Sequence, residues 1–292
     1  MERRAFLADT VAAAAVVGGT GGIAGCADLA GGDESPATRD PPPRPTELTP
    51  DAVAAYVADY EAVRVHNHHV ERGATDVSVD AVATFDHAAG DEHYATAQHA
   101  GTLYDTDSDG NRSVGELSSA PVPYLVTPDR TLRMDTTRRS IEGDERDRAP
   151  DETASPPLGV RLLNVTDEPR EVAVRVVRRT DAIEAGEDEL GADSNDGELR
   201  VDARDGDAAA TEGDALVAEP TVTAEPRSAV ELRAITAVRG GYRITASSET
   251  NGVTSLGRIE VGLPSADREP NVDIVVDGDG LSTRHLPSFE PI

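Results

Sequence analysis

Lysine is absent from all 292 residues: the 27 basic side chains are arginine, set against 55 acidic ones, for a formal charge of −28. Such an excess of like charge opposes compaction in dilute buffer. In about 1 M salt the screening length falls to about 3 Å, so the composition fits a chain that folds in concentrated salt. The same charge excludes nucleic acid and anionic lipid head groups as partners. Cysteine is almost missing as well. With Cys26 as the single one, intramolecular disulfides and thiolate metal sites are excluded. There is no tryptophan and aromatics make up 3% of the chain, which argues against a sugar-binding platform of stacked rings. No P-loop, G-x-G-x-x-G or G-x-S-x-G motif occurs, and the acids are too many and too scattered to nominate a catalytic pair.

What is present begins at the N-terminus. Arg3 and Arg4 are followed by Phe6 and Leu7, then by a weakly apolar run from Thr10 to Gly25 that ends in Ile23-Ala24-Gly25-Cys26. The run is too short and too glycine-rich for a spanning helix, which needs about 20 solidly apolar residues. Twin arginine, apolar run and lipobox cysteine in that order resemble a Tat lipoprotein signal. The resemblance implies that residues 1–25 are a signal and that the chain folds before export. It further implies that a covalent lipid on Cys26 holds the protein at the outer face of the cell membrane, since two acyl-type chains make a stable anchor. The five glycine- and threonine-rich residues 18–22 belong to this signal and are no phosphate loop.

Residues 26–48, rich in Gly, Pro and Asp, predict a flexible tether. Thr49-Pro50-Asp51 then supplies a capping hydroxyl, a first-turn proline and an acid at the positive end of the dipole. Val53, Tyr56, Val57 and Tyr60 follow at helical spacing, predicting a helix to about Val70. Beyond Gly73 the period becomes two, with strands expected around 77–82 and 93–104 and a hairpin joining 123–126 to 131–135. One long helix and an antiparallel sheet make residues 49–137 an α+β domain of the cystatin or NTF2 type. Residues 138–157 read as a charged linker. Residues 158–287 hold about seven short strands, which predicts an all-β, immunoglobulin-like sandwich. Its Tyr242, in Gly-Gly-Tyr-Arg-Ile, sits where that fold carries a tyrosine corner, and residues 184–218 form an acidic insertion expected to be mostly disordered.

The helix sequence AVAAYVADYEAVRVHN (52–67) and the hairpin YLVTPDRTLRM (124–134) are similar to those of uncharacterised haloarchaeal Tat-exported lipoproteins. Acidic, lysine-free composition is also shared with haloarchaeal proteins as a class. This resemblance implies architecture and carries over no catalytic residue.

Six of the seven histidines lie between His66 and His99. Imidazole is the commonest metal ligand. His66 and His69 share a helix face, so a Zn or Cu site would combine them with one of His87, His93 or His99. His93 and His99 lie about 20 Å apart along one strand and cannot serve the same ion. Bland alternatives are surface histidines and favourable charge at the helix end. Asp105, Asp107, Asp109, Gly110 and Glu116 fit the ligand and turn positions of an EF-hand Ca loop. Arg112 and the prolines at 121 and 123 favour a solvated hairpin turn instead. Asn111 and Asn164 open glycosylation sequons. The expectation is a lipid-anchored, non-enzymatic surface protein that binds or supports an unknown protein or small ligand. The alternative is a metal-handling or small-ligand module built on residues 66–99. An NTF2-like enzyme stands third, with Asp86-His87 as its only adjacent acid–histidine pair.

Overall fold

The computed structural model describes residues 36–106, 109–141, 153–179, 215–250, 252–264 and 268–287. The signal and lipobox residues Arg3, Arg4, Phe6, Leu7, Ile23, Ala24, Gly25 and Cys26 lie outside the described residues, as do Asp107 and positions 142–152 and 180–214.

Helix α1 runs from Pro50 to Glu71, with the Thr49 side chain accepting from the Ala52 amide at 3.3 Å. Its apolar face (Val53, Tyr56, Val57) packs on the first antiparallel sheet. That sheet is built from β1 (Asp76–Ala89), β2 (Glu92–Thr106), β3 (Arg112–Ser118), β4 (Val122–Val126) and β5 (Thr131–Arg133). Strand β2 is its spine. One edge of β2 pairs with β1; the other pairs with β4 near its start and with β3 near its end. Ala95 and Ala97 of β2 face the helix, while Tyr94 and Thr96 face away from it, as the period of two requires.

The second sheet has the order β15-β14-β7-β11-β6, formed by β6 (Asp135–Ser140), β7 (Thr153–Asn164), β11 (Ser228–Val238), β14 (Val272–Val276) and β15 (Leu281–His285). Here β14 runs parallel to β7, and β6 parallel to β11. The third sheet has the order β10-β8-β12-β13, with β9 also on β8. Its strands are β8 (Arg170–Arg178), β9 (Ala215–Ala218), β10 (Thr221–Ala224), β12 (Gly240–Thr250) and β13 (Val253–Leu263).

Three apolar clusters order these layers. Val160, Leu162, Val230, Leu232, Val272 and Ile274 of the second sheet pack against Val174, Val176, Ile244 and Val261 of the third. The opposite face of the second sheet, through Leu163, Ala229 and Val275, packs on Tyr94 and Leu125 of the first. The second sheet is therefore covered on both faces, with the helix outermost on one side. Residues 35–292 form one compact unit.

Three boundaries expected from composition are corrected. The flexible tether does not extend to residue 48. Asn67 on α1 clamps Arg39 by accepting its amide at 2.7 Å and donating to its carbonyl at 2.8 Å. Arg44 donates to the Pro128 carbonyl at 2.8 Å, and Leu48 packs on the helix core. The proline-rich segment is thus docked as a strap through Asn67, Arg44 and Leu48. The linker 138–157 is strand at both ends, its first residues in β6 and its last in β7. The final four residues of the acidic insertion, 215–218, are β9, paired with β8.

Candidate functional site

Two buried polar clusters lie on opposite faces of the first sheet. The one beneath the helix centres on Glu61, which is fully buried. Its Oε1 accepts from Nδ1 of His99 at 2.9 Å. Its Oε2 accepts from the Tyr124 hydroxyl, from Nε of Arg64 at 3.1 Å and from Nε of Arg133 at 3.2 Å. Burial alone would raise the Glu61 carboxyl. The bonds from Tyr124 and Arg64 and the charges of Arg133 and Arg64 outweigh it and hold the group below the usual carboxylate range. Burial and the facing Glu61 charge push the Tyr124 hydroxyl up, so it acts as a donor. Tyr56, Tyr60 and Tyr124 form a chain of rings beside the cluster, with centroids 5.8 and 6.1 Å apart.

The other cluster lies between the first and second sheets. A β-bulge at Asp86 shifts the register between Phe85 and His87, and it turns Asp86 and His87, consecutive in sequence, toward the same neighbour. Arg161 of β7, 1% exposed, donates to both oxygens of Asp273 at 2.7 Å, to Asp86 at 2.8 Å and to the Thr96 hydroxyl at 2.6 Å. Arg268 donates to the other Asp86 oxygen at 2.7 Å. His87 meets Asp273 at 2.9 Å through Nε2 and stacks on Tyr94 at 4.5 Å. Burial raises Asp86 and Asp273, but Arg161 in both cases, with Arg268 on Asp86, drives them well below the carboxylate range. Two cations and two anions are neutralised locally, the condition under which buried charge is tolerated.

The histidines proposed as metal ligands are divided among separate partners. His66 meets the Ala37 carbonyl at 3.1 Å through Nε2. His69 packs edge-on against the His68 ring; burial and the charges of His68 and Arg72 lower its pKa. His87 belongs to the Arg161 cluster, His93 packs against Phe85, and His99 serves Glu61. Among the described residues no three His, Cys, Asp or Glu side chains come together as a metal-binding group. The Ca loop is a hairpin instead. Arg112 pairs with Thr106 and Glu116 with Thr102 in the β2–β3 ladder. Glu116 is thus four strand residues, about 13 Å, past the start of β3 and cannot close the loop as its twelfth position must. Asp105 and Asp109 are exposed. Arg112 lies over the Tyr104 ring at 4.0 Å.

Asn111 is exposed at the hairpin tip. Asn164 is no glycan acceptor. It is fully buried, with Nδ2 donating to the carbonyls of Glu168, Ala224 and Glu225 and Oδ1 accepting from Thr166. Reasoning from motifs missed Glu61, Arg161, Asp273 and Arg268. The available signal was a lone charge inside an apolar run: Arg161 in Gly-Val-Arg-Leu-Leu and Asp273 in Val-Asp-Ile-Val-Val. Comparison with protein-family models, curated proteins and solved structures finds no match for this chain.

Proposed function

We propose that this protein is a salt-adapted lipoprotein, exported by the Tat route and anchored through a lipid on Cys26 at the outer face of the membrane. There it acts as a rigid, non-enzymatic binding or scaffolding module. The observation that carries the rigid-module reading is the Arg161 cluster. A fully buried arginine joins the helix-bearing sheet to the sandwich through two carboxylates, so the halves move as one. The docked strap adds to this by fixing where the chain leaves toward the anchor.

In this reading the helix on its antiparallel sheet is a cystatin/NTF2-like unit, and the other two sheets are an immunoglobulin-like sandwich. Support for the sandwich comes from pairing and from one tyrosine. Strands β7 and β11 pair in one sheet and β8, β12 and β13 in the other, matching the B–E and C–F–G pairs of that fold. Tyr242, near the start of β12, donates to the Val238 carbonyl at 2.5 Å, as a tyrosine corner does. Strands β14 and β6 take the flanking places and run parallel to their neighbours.

Fractionation tests the anchor. The native chain should sediment with membranes and need detergent for release, whereas Cys26→Ser should appear in the soluble fraction. A Cys26→Ser protein that stays with the membrane, or substrate turnover by the purified chain, would overturn the reading.

A further inference from the structure

We propose that Asn111 carries an N-linked oligosaccharide and that Asn164, which opens the other sequon, stays bare. This goes beyond the anchored-module reading and rests on its export step, because sequons are modified on exported chains.

Asn111-Arg112-Ser113 and Asn164-Val165-Thr166 both place a hydroxyl two residues on with no proline between. As sequence they are equivalent, and the fold separates them. The atom that must react is Nδ2. In Asn164 it is sealed from water and donates to the carbonyls of Glu168, Ala224 and Glu225. The hydroxyl of that sequon is engaged as well, with Oγ1 of Thr166 donating to Oδ1 of Asn164 at 2.8 Å. A transferase reaches Asn164 only in an unfolded chain, whereas a Tat-type signal implies a chain folded before it crosses.

Asn111 is placed the opposite way. It ends the connection from β2 to β3 and is exposed, as are Arg112 and Ser113 after it. Gly110 before it has φ +80° and open space where a Cβ would stand. Val114, just beyond the sequon, is 64% exposed. Among the described residues β3 pairs with β2 alone, so its outer edge leaves the approach open. A bulky, solubilising sugar there displaces no core contact and covers a strand edge of the kind that invites unwanted pairing. The step takes a lipid-phosphate-linked oligosaccharide as donor. Nδ2 of Asn111 bonds C1 of the first sugar, the bond from C1 to the phosphate oxygen breaks, and the lipid phosphate leaves with the electron pair. One Nδ2 proton passes to a base of the transferase, and the side chain remains a neutral amide.

The test is mass spectrometry of the full chain, extracted with detergent from the membranes of the cells that make it. A glutamate-specific protease separates the two sequons into peptides 93–116 and 153–171. The expected result is added sugar mass on the first peptide and none on the second. Asn111→Gln should lose that mass, and so should Ser113→Ala, which keeps the asparagine and removes only the hydroxyl. The N-terminal peptide of the same sample tells the two readings apart. A bare Asn111 on a chain that begins at lipid-bearing Cys26 overturns this inference alone. A bare Asn111 on a chain that keeps residues 1–25 overturns both this inference and the export reading. Sugar on Asn164 also overturns the inference, because it requires a chain that was unfolded when modified.

Discussion

Replacing Arg161 with leucine removes one charge that serves two buried carboxylates. Asp86 would keep Arg268 at 2.7 Å and Thr96 at 2.6 Å. Among the described residues, Asp273 would keep only His87. A carboxylate sealed from water without a cation takes up a proton instead. Protonating a carboxyl of ordinary pKa near 3.9 at pH 7 spans about three units at about 1.36 kcal/mol each, or roughly 4 kcal/mol. That lies inside the roughly 3–5 kcal/mol seen when one partner of a buried pair is removed. At pH 5 the same step costs only about 1.5 kcal/mol, so the defect should shrink as pH falls. Urea unfolding of Arg161→Leu and the native chain in concentrated KCl, at pH 7 and pH 5, measures both values. Added KCl should not rescue the variant, because screening acts weakly on buried charge. Adding Asp273→Asn should recover much of the loss by removing the orphaned acid. A loss below about 1 kcal/mol at pH 7, or an equal loss at both pH values, would refute the reasoning.

Other consequences can be checked on the same material. Asp86 and Asp273 have depressed folded pKa values, so their stabilisation is complete above the unfolded value near 3.9 and is lost as pH falls through the folded values. Acid titration should therefore leave their share of stability intact to about pH 4 and erode it below. A Cβ at Gly101 would sit 2.1 Å from the Ser78 carbonyl oxygen, a backbone atom, so Gly101→Ala should cost at least the roughly 3 kcal/mol of severe overpacking in thermal unfolding. Tyr242→Phe strips the buried Val238 carbonyl of its donor and should cost about 1–3 kcal/mol in urea. Asn67→Ala should speed cleavage after Arg39 by an arginine-specific protease while lowering stability by only about 1 kcal/mol.

Local chemistry made the helix legible. Thr49, Pro50 and the spacing of Val53, Tyr56 and Val57 place α1 within one residue of where it lies. Alternation likewise marks most strands. The layer order was harder to read, because it depends on which faces are covered twice. Runs such as Val-Arg-Leu-Leu-Asn in β7 and Val-Asp-Ile-Val-Val in β14 are buried on both faces, and such runs lose the alternation of a half-exposed strand. Read that way, they announce a central sheet, and Arg161 and Asp273 become charges that must find partners inside it. The strand at 135–140 escaped notice because its Asp-Thr-Thr-Arg-Arg-Ser is polar throughout, as suits a sheet edge. Histidine clustering in sequence misled for a geometric reason. His87 turns toward the second sheet after the bulge, while His93 and His99 face the helix side. The strap was unreadable from composition, since proline-rich segments look alike whether docked or free.

The most direct test of the account is scanning calorimetry of the full chain in concentrated KCl. If the Arg161 cluster and the apolar contact of Tyr94 and Leu125 with Leu163 and Val275 make one body, a single transition is predicted, with calorimetric and van't Hoff enthalpies equal. Arg161→Leu should lower that transition or split it. Two separate transitions in the native chain would contradict the account, because the halves would then be independent domains and the rigid module would not exist.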